Sequence, residues 1–223
     1  MESVSKGEGR TVLFVSHNMN AIEQLCSRAM LLDRGGLYRN TDNVRDVVVG
    51  YLYGDGLKQS SSWTHTDDTA RCKYFQPRRM YAGDGMGREI AMPVKNDSEL
   101  WIYIEGEIEE PDPALQIGYA LYDEEQRLLY WSVHTDSPED KWPQLAEGMV
   151  RLRAKLPPRL FNEGDYRIEL ISALYCSQWL CEPGKNNVPS IKIIIQGGLS
   201  DSPYWMNRRP GILAPVLDWE RIV

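Results

Sequence analysis

Phenylalanine is scarce in this chain, with 3 residues in 223 against 7 Trp and 12 Tyr. A core alone would use Phe freely, whereas Trp and Tyr join a flat apolar face to a polar handle. The bias points either to wet binding surfaces or to a sandwich with Tyr and Trp at its rims. Long apolar runs are absent too. None approaches the ~18 residues needed to span a bilayer, and the opening MESVSKGEGR has no hydrophobic segment behind a basic start, so no secretory signal is expected there. Basic residues are in deficit, 25 Lys and Arg against 32 Asp and Glu, a net charge of −7. Nucleic acid is therefore not an expected partner, because that binding is driven mainly by phosphate neutralisation. The cysteines (Cys26, Cys72, Cys176, Cys181) show no CxxC pairing, and no His/Asp cluster has ligand spacing, so no metal is expected. Without an export signal the thiols are expected to be reduced.

What is present divides in two. Residues 11–16, TVLFVS, form a β-branched apolar run suited to a buried parallel strand. Asn18 or Asn20 can cap a helix over 21–28, and AMLLDR reads as a second strand turned back by Gly35-Gly36. TDNVRDVVVGYLYG reads as an amphipathic helix capped by Thr41 or Asp42. The polar stretch over 55–70 reads as a linker. From Arg71 the hydrophobic period changes from 3.6 to 2. Strands are expected over 73–82, 88–94, 99–108, 115–123, 127–135, 148–156, 165–175 and 189–196, separated by turn residues. This is the pattern of an antiparallel immunoglobulin-like or jelly-roll β-sandwich, and Gly164-Asp165-Tyr166 before a strand fits a tyrosine corner. The last stretch, GILAPVLDWERIV, is strand-like beyond a long loop.

The segment VLFVSHNMNAIEQLCSRAMLLDRGG resembles the end of an ABC-transporter ATPase domain, with His17 matching the switch histidine. Its wording, followed by a helix and a β-domain, resembles the ATP-binding subunit of Wzt-type O-antigen exporters and their teichoic-acid relatives. The resemblance implies three parts: 1–54 as an ATPase remnant, 55–70 as linker and 71–223 as a carbohydrate-binding sandwich. It implies a cytoplasmic protein at the inner face of the inner membrane, contacting the exporter's transmembrane subunit through the ATPase domain. It also implies a cell-surface polysaccharide, the O-antigen glycan, as ligand, recognised by its modified non-reducing end. A homodimer with an exchanged C-terminal strand is expected on the same ground. The phosphate loop G-x-x-x-x-G-K-[ST] is missing, as are an LSGGQ-like signature and a Walker B acid. Phosphoryl transfer consists almost wholly of positioning by those parts, so the chain reads as a truncation. It is expected to be no enzyme and to need no cofactor, ATP belonging to the full-length parent, with His17 inactive.

Alternation assigns a face to each strand residue. With Leu115, Ile117, Tyr119 and Leu121 inward, Gln116, Gly118, Ala120 and Tyr122 face out. With Leu129, Trp131 and Val133 inward, Tyr130, Ser132 and His134 face out. With Tyr166, Ile168, Leu170, Ser172 and Leu174 inward, Arg167, Glu169, Ile171, Ala173 and Tyr175 face out. The expected glycan groove then has a floor of Gly118, Ala120 and Ala173 ringed by Gln116, Tyr130, His134, Arg167, Glu169 and Tyr175. A solvated face carrying an Arg167–Glu169 ion pair fits the same pattern. Trp101 and Tyr103 form a competing aromatic patch, a dimer contact or a lid. Two other functions remain open: a dimerisation module without a sugar site, and a jelly-roll glycosidase using Glu169 or Glu105. The acidic pairs Asp67-Asp68, Glu109-Glu110 and Glu124-Glu125 sit in turns and read as solvated charge rather than acid and base.

Overall fold

The computed structural model describes residues 11–53, 61–66, 72–202 and 208–222. The chain divides into two compact units. Among the described residues, one holds 11–53 with 199–202 and 208–209, and the other holds 61–66, 72–198 and 210–222.

In the first unit, helix α1 (Met19–Leu25) is capped by Asn18, whose side chain accepts the Ala21 N–H at 3.1 Å. Strands β1 (Ala29–Asp33) and β2 (Gly36–Thr41) form an antiparallel hairpin. Its turn needs two left-handed residues, Arg34 at φ 47° and Gly35 at φ 82°. Helix α2 (Val44–Tyr53) is capped one or two positions later than the sequence suggests. Asn43 Oδ1 accepts the Asp46 N–H at 3.2 Å, and the Thr41 hydroxyl takes the Asn43 N–H instead. Ala29, Val44, Val47 and Val48 make a small core, against which Met19, Ile22 and Leu31 pack. The expected buried strand over 11–16 does not form, and Val15 is 95% exposed. A parallel strand needs neighbours beside it and cover on both faces; among the described residues nothing pairs with this one.

The second unit is a β-sandwich. Its strands are β3 (Ser62–Thr64), β4 (Gln76–Gly83), β5 (Trp101–Ile108), β6 (Leu115–Tyr122), β7 (Leu128–Val133), β8 (Gly148–Lys155), β9 (Gly164–Leu174), β10 (Gln178–Cys181) and β11 (Ser190–Ile195). One sheet runs β3-β4-β5-β8. The other runs β10-β9-β6-β7, with β11 also paired to β9, and every pairing is antiparallel. Met80, Ile102, Ile104 and Ile108 from the first sheet, and Ile117, Leu121, Ile168, Leu170 and Ile193 from the second, are fully buried or nearly so. The Tyr166 hydroxyl donates to the Asn162 carbonyl at 2.9 Å, closing the expected tyrosine corner.

In this unit the elements differ from the sequence reading in four places. The stretch 88–94 is no strand; it meets the sheets through the bridges Gly83↔Glu89 and Val94↔Ile195 and through single contacts such as the Ile90 N–H to the Ala82 carbonyl at 3.1 Å, and Pro93 has no N–H to give a ladder. Strand β3 lies within the polar stretch read as linker, whose residues 55–60 and 67–70, Asp67-Asp68 included, fall outside the described residues. Strand β10 follows a three-residue turn in which Cys176 takes φ 56°, a turn carrying none of the usual Gly, Asn or Asp. The C-terminal stretch is not a strand. Leu213 bridges Phe161, the Ala214 and Val216 N–H groups donate to Leu160 and Arg159, and beyond that point Trp219 is 92% exposed. Pro215 interrupts any ladder there. Among the described residues no helix is long and apolar enough to cross a membrane.

Candidate functional site

The outward face of the β10-β9-β6-β7 sheet follows from its register. Gln116 lies opposite Ala173, Gly118 opposite Ile171, Ala120 opposite Glu169 and Tyr122 opposite Arg167. The small floor of Gly118, Ala120 and Ala173 is therefore real and faces away from the sandwich core. Glycine at 118 is required, since a Cβ there would sit 2.0 Å from the Ser132 carbonyl oxygen.

On β7 the phase is opposite to the sequence reading. Gly118 pairs with Val133, Ala120 with Trp131 and Leu121 with Tyr130, so Trp131 and Val133 face out while Tyr130 faces in. The Tyr130 hydroxyl lies 3.3 Å from that of Tyr119, and its ring stacks on Phe161 with centroids 6.5 Å apart. Burial pushes both phenols up in pKa, so each stays neutral. His134 falls opposite Ile117, on the inward face, and its Nδ1 accepts the Ile117 N–H at 3.1 Å. Burial lowers its pKa, which favours the neutral imidazole. Tyr130 and His134 thus leave the expected site. Apolarity could not reveal this phase, because the outward face has its own small core of Ala120, Tyr122 and Ile171, against which Val133 packs.

The remaining expected residues separate. Gln116 is half-buried and its amide donates to Thr135 Oγ1 at 3.1 Å. Tyr175 stands exposed just past β9. Glu169 is only 2% exposed: Arg167 and the Gly184 N–H, at 2.6 Å, take up its two oxygens. The Arg167 guanidinium lies 4.8 Å over the Tyr122 ring. Burial, then the Glu169 carboxylate, raise the Tyr122 pKa. Glu169 is therefore an anchor for the 182–187 loop rather than an open acceptor, and it is not exposed to act as a general acid.

The sequence reading, which set Trp131 inward, misses the pair that fills the vacated ground. Trp131 from β7 and Trp179 from β10 reach toward each other from opposite edges of the sheet. Their rings meet edge to face at 86°, centroids 5.8 Å apart, and they stay 49% and 45% exposed. Small residues in the intervening strands leave room for this. The result is a half-exposed aromatic shelf with amide and guanidinium groups, Gln116 and Arg167, on the same face. The Trp excess in the composition was the available signal; its position depended on β10 and on the β7 phase.

The competing patch, Trp101 and Tyr103 on β5, is overlaid by arginines. Arg153 lies 4.3 Å over Trp101 and Arg151 lies 5.0 Å over Tyr103. Among the described residues no His, Cys, Asp and Glu group is placed to hold a metal ion.

Fold and surface together define a two-sheet antiparallel β-sandwich with an outward aromatic shelf, attached in sequence to a small α/β unit. No family model and no curated protein matches the chain. Among solved structures it is similar to the crystal structure of the C-terminal domain of Wzt, at 10% identity and a TM-score of 0.47, over 74% of this chain and 90% of that one.

Proposed function

We propose that this chain is the glycan-recognition part of a polysaccharide ABC exporter's ATP-binding subunit. The sandwich binds the polysaccharide, by its modified non-reducing end, without cleaving it, and the α/β unit is the tail of the ATPase domain. On this reading the protein works in the cytoplasm, against the exporter's membrane subunit. The observation that carries the binding role is the Trp131–Trp179 shelf. Two large rings left half in water offer flat faces for the C–H side of a sugar, with Gln116 and Arg167 at hand for its hydroxyls. The resemblance of 11–37 to the end of an ABC ATPase supports the exporter context. The test is calorimetric titration of the chain with its own cell's surface polysaccharide. Binding should weaken at least ten-fold in Trp131→Ala and in Trp179→Ala. Equal affinity in parent and both variants would move the site off this face.

The exposed C-terminal segment favours a second element of the reading, a homodimer. Leu217, Trp219 and Ile222 are exposed apolar residues on a segment that leaves its last paired residue at Val216. Exchange of this segment between two copies would cover them.

A further inference from the structure

We propose that the other sheet carries an oxyanion site, on the outward face of β5 and β8, taking a carboxylate or phosphate group borne on a saccharide-sized molecule. The connection that leaves β4 folds back over this face. Beneath it Tyr81 and Tyr103 stack with centroids 4.8 Å apart and planes 6° apart, and their hydroxyls donate to the carbonyls of Gly87 and Asp84 at 3.2 and 2.7 Å. Between this loop and β8 lies an open cavity of about 250 Å³, lined by Gly85, Met86, Gly87, Tyr103, Arg151 and Arg153. That is several times the ~30 Å³ share of a water molecule and near the small end of ligand pockets.

The charges around the cavity do not balance. Arg88 pairs with Asp84 at 2.7 Å, Arg79 with Glu89, Arg151 with Glu105 at 2.9 Å and Lys155 with Glu99 at 3.0 Å. Arg153 is the cation left over. Its contacts are neutral: the Gly85 carbonyl at 2.7 Å, the Tyr103 hydroxyl at 3.3 Å and the face of Trp101. Both hydrogen bonds leave from Nη1, so Nε and Nη2 have no partner among the described residues. Glu99 is the acid that senses Arg153, and it does so only as the weakest of the influences on its pKa. A guanidinium held flat by an aromatic ring, with donors spare on its edge, is preorganised for two-point pairing with an oxyanion.

The loop's backbone favours glycine at 87, and its neighbours at both glycines are the mobile ends of side chains. A Cβ on Gly87 would come within 2.9 Å of Arg151 Nη2, and Gly87 also takes φ +82°. A Cβ on Gly85 would come within 3.0 Å of the Glu99 carboxylate.

The experiment is calorimetric titration of the full chain at low salt with glucuronate, with glucose 1-phosphate and with neutral glucose. One or both anionic sugars should bind saturably, and which one does so identifies the group. Glucose should give no saturable signal. Arg153→Gln should weaken the anion at least ten-fold, Arg153→Lys should lose less, and Arg127→Gln, on the β6–β7 turn, should leave affinity unchanged. Arg153 is exposed, so the variants keep the parent's far-ultraviolet circular dichroism. Failure of both anions to bind, equal binding of glucose, or full affinity in Arg153→Gln would overturn the site. The choice of sugars as carriers rests on the exporter reading, but the two fail separately. Loss of this site with polysaccharide binding intact refutes only the oxyanion site, and loss of polysaccharide binding with the anion bound refutes only the shelf.

Discussion

Tyr130 and Trp131 are neighbours in the chain and serve opposite sides of one sheet. Tyr130 packs inward on Phe161 and meets the Tyr119 hydroxyl, while Trp131 lies outward against Trp179. Their truncations should therefore separate stability from binding. Tyr130→Ala should cost about 2 kcal/mol, below the range for a fully buried aromatic because its ring is half-buried. Trp131→Ala should stay within about 1 kcal/mol, near the range for surface substitutions. Denaturant melts of the two variants read this directly, and equal losses would mean that both rings are structural.

At the scale of elements, β9 joins the two sides of the sheet. Its inward residues Ile168 and Leu170 are completely buried, and its outward Glu169 ties down the loop that leads to β11. Removing Glu169 leaves the Gly184 N–H without its acceptor and the Arg167 guanidinium, whose side chain is 37% exposed, without its counter-charge, a loss of about 1–3 kcal/mol. Glu169→Ala should destabilise the chain by that amount, whereas Glu169→Gln, which can still accept from Gly184, should lose less. Urea titration distinguishes them, and equal stability of Glu169→Ala and the parent would show that the loop is held by other contacts. β9 was legible in its first half, because Tyr166, Ile168 and Leu170 alternate with Arg167 and Glu169 and its corner tyrosine is marked by Gly164; beyond Leu170 the alternation breaks, with Ser172 inward and Ile171 outward in the minor core. β7 was legible as a strand but not in phase. Leu129, Trp131 and Val133 look more apolar than Tyr130, Ser132 and His134, and a sheet with a minor core on its outer face does not send the more apolar set inward. Residues 11–16 show the converse failure. Their composition suits a buried strand, but composition cannot supply the neighbouring strands that burial requires.

At the scale of the whole molecule, two exposed apolar regions belong to different units. The first unit leaves Leu13, Val15 and Leu32 in solvent, and the second leaves Leu217, Trp219 and Ile222 there. The homodimer reading makes a definite claim about the second region. Deleting 215–223 should convert a dimer into a monomer, or into insoluble protein, by light scattering; a soluble dimer of the shortened chain would contradict exchange.

The central claim is that polysaccharide lies on the outward face of the β10-β9-β6-β7 sheet. Hydrogen–deuterium exchange with and without saturating polysaccharide tests it on the unmodified chain. Backbone amides over 128–133 and 176–185 should exchange more slowly when the glycan is bound, since both tryptophan-bearing edge strands would be covered. Unchanged exchange in those two segments, with protection confined to the sheet that carries Trp101 or absent altogether, would contradict the account.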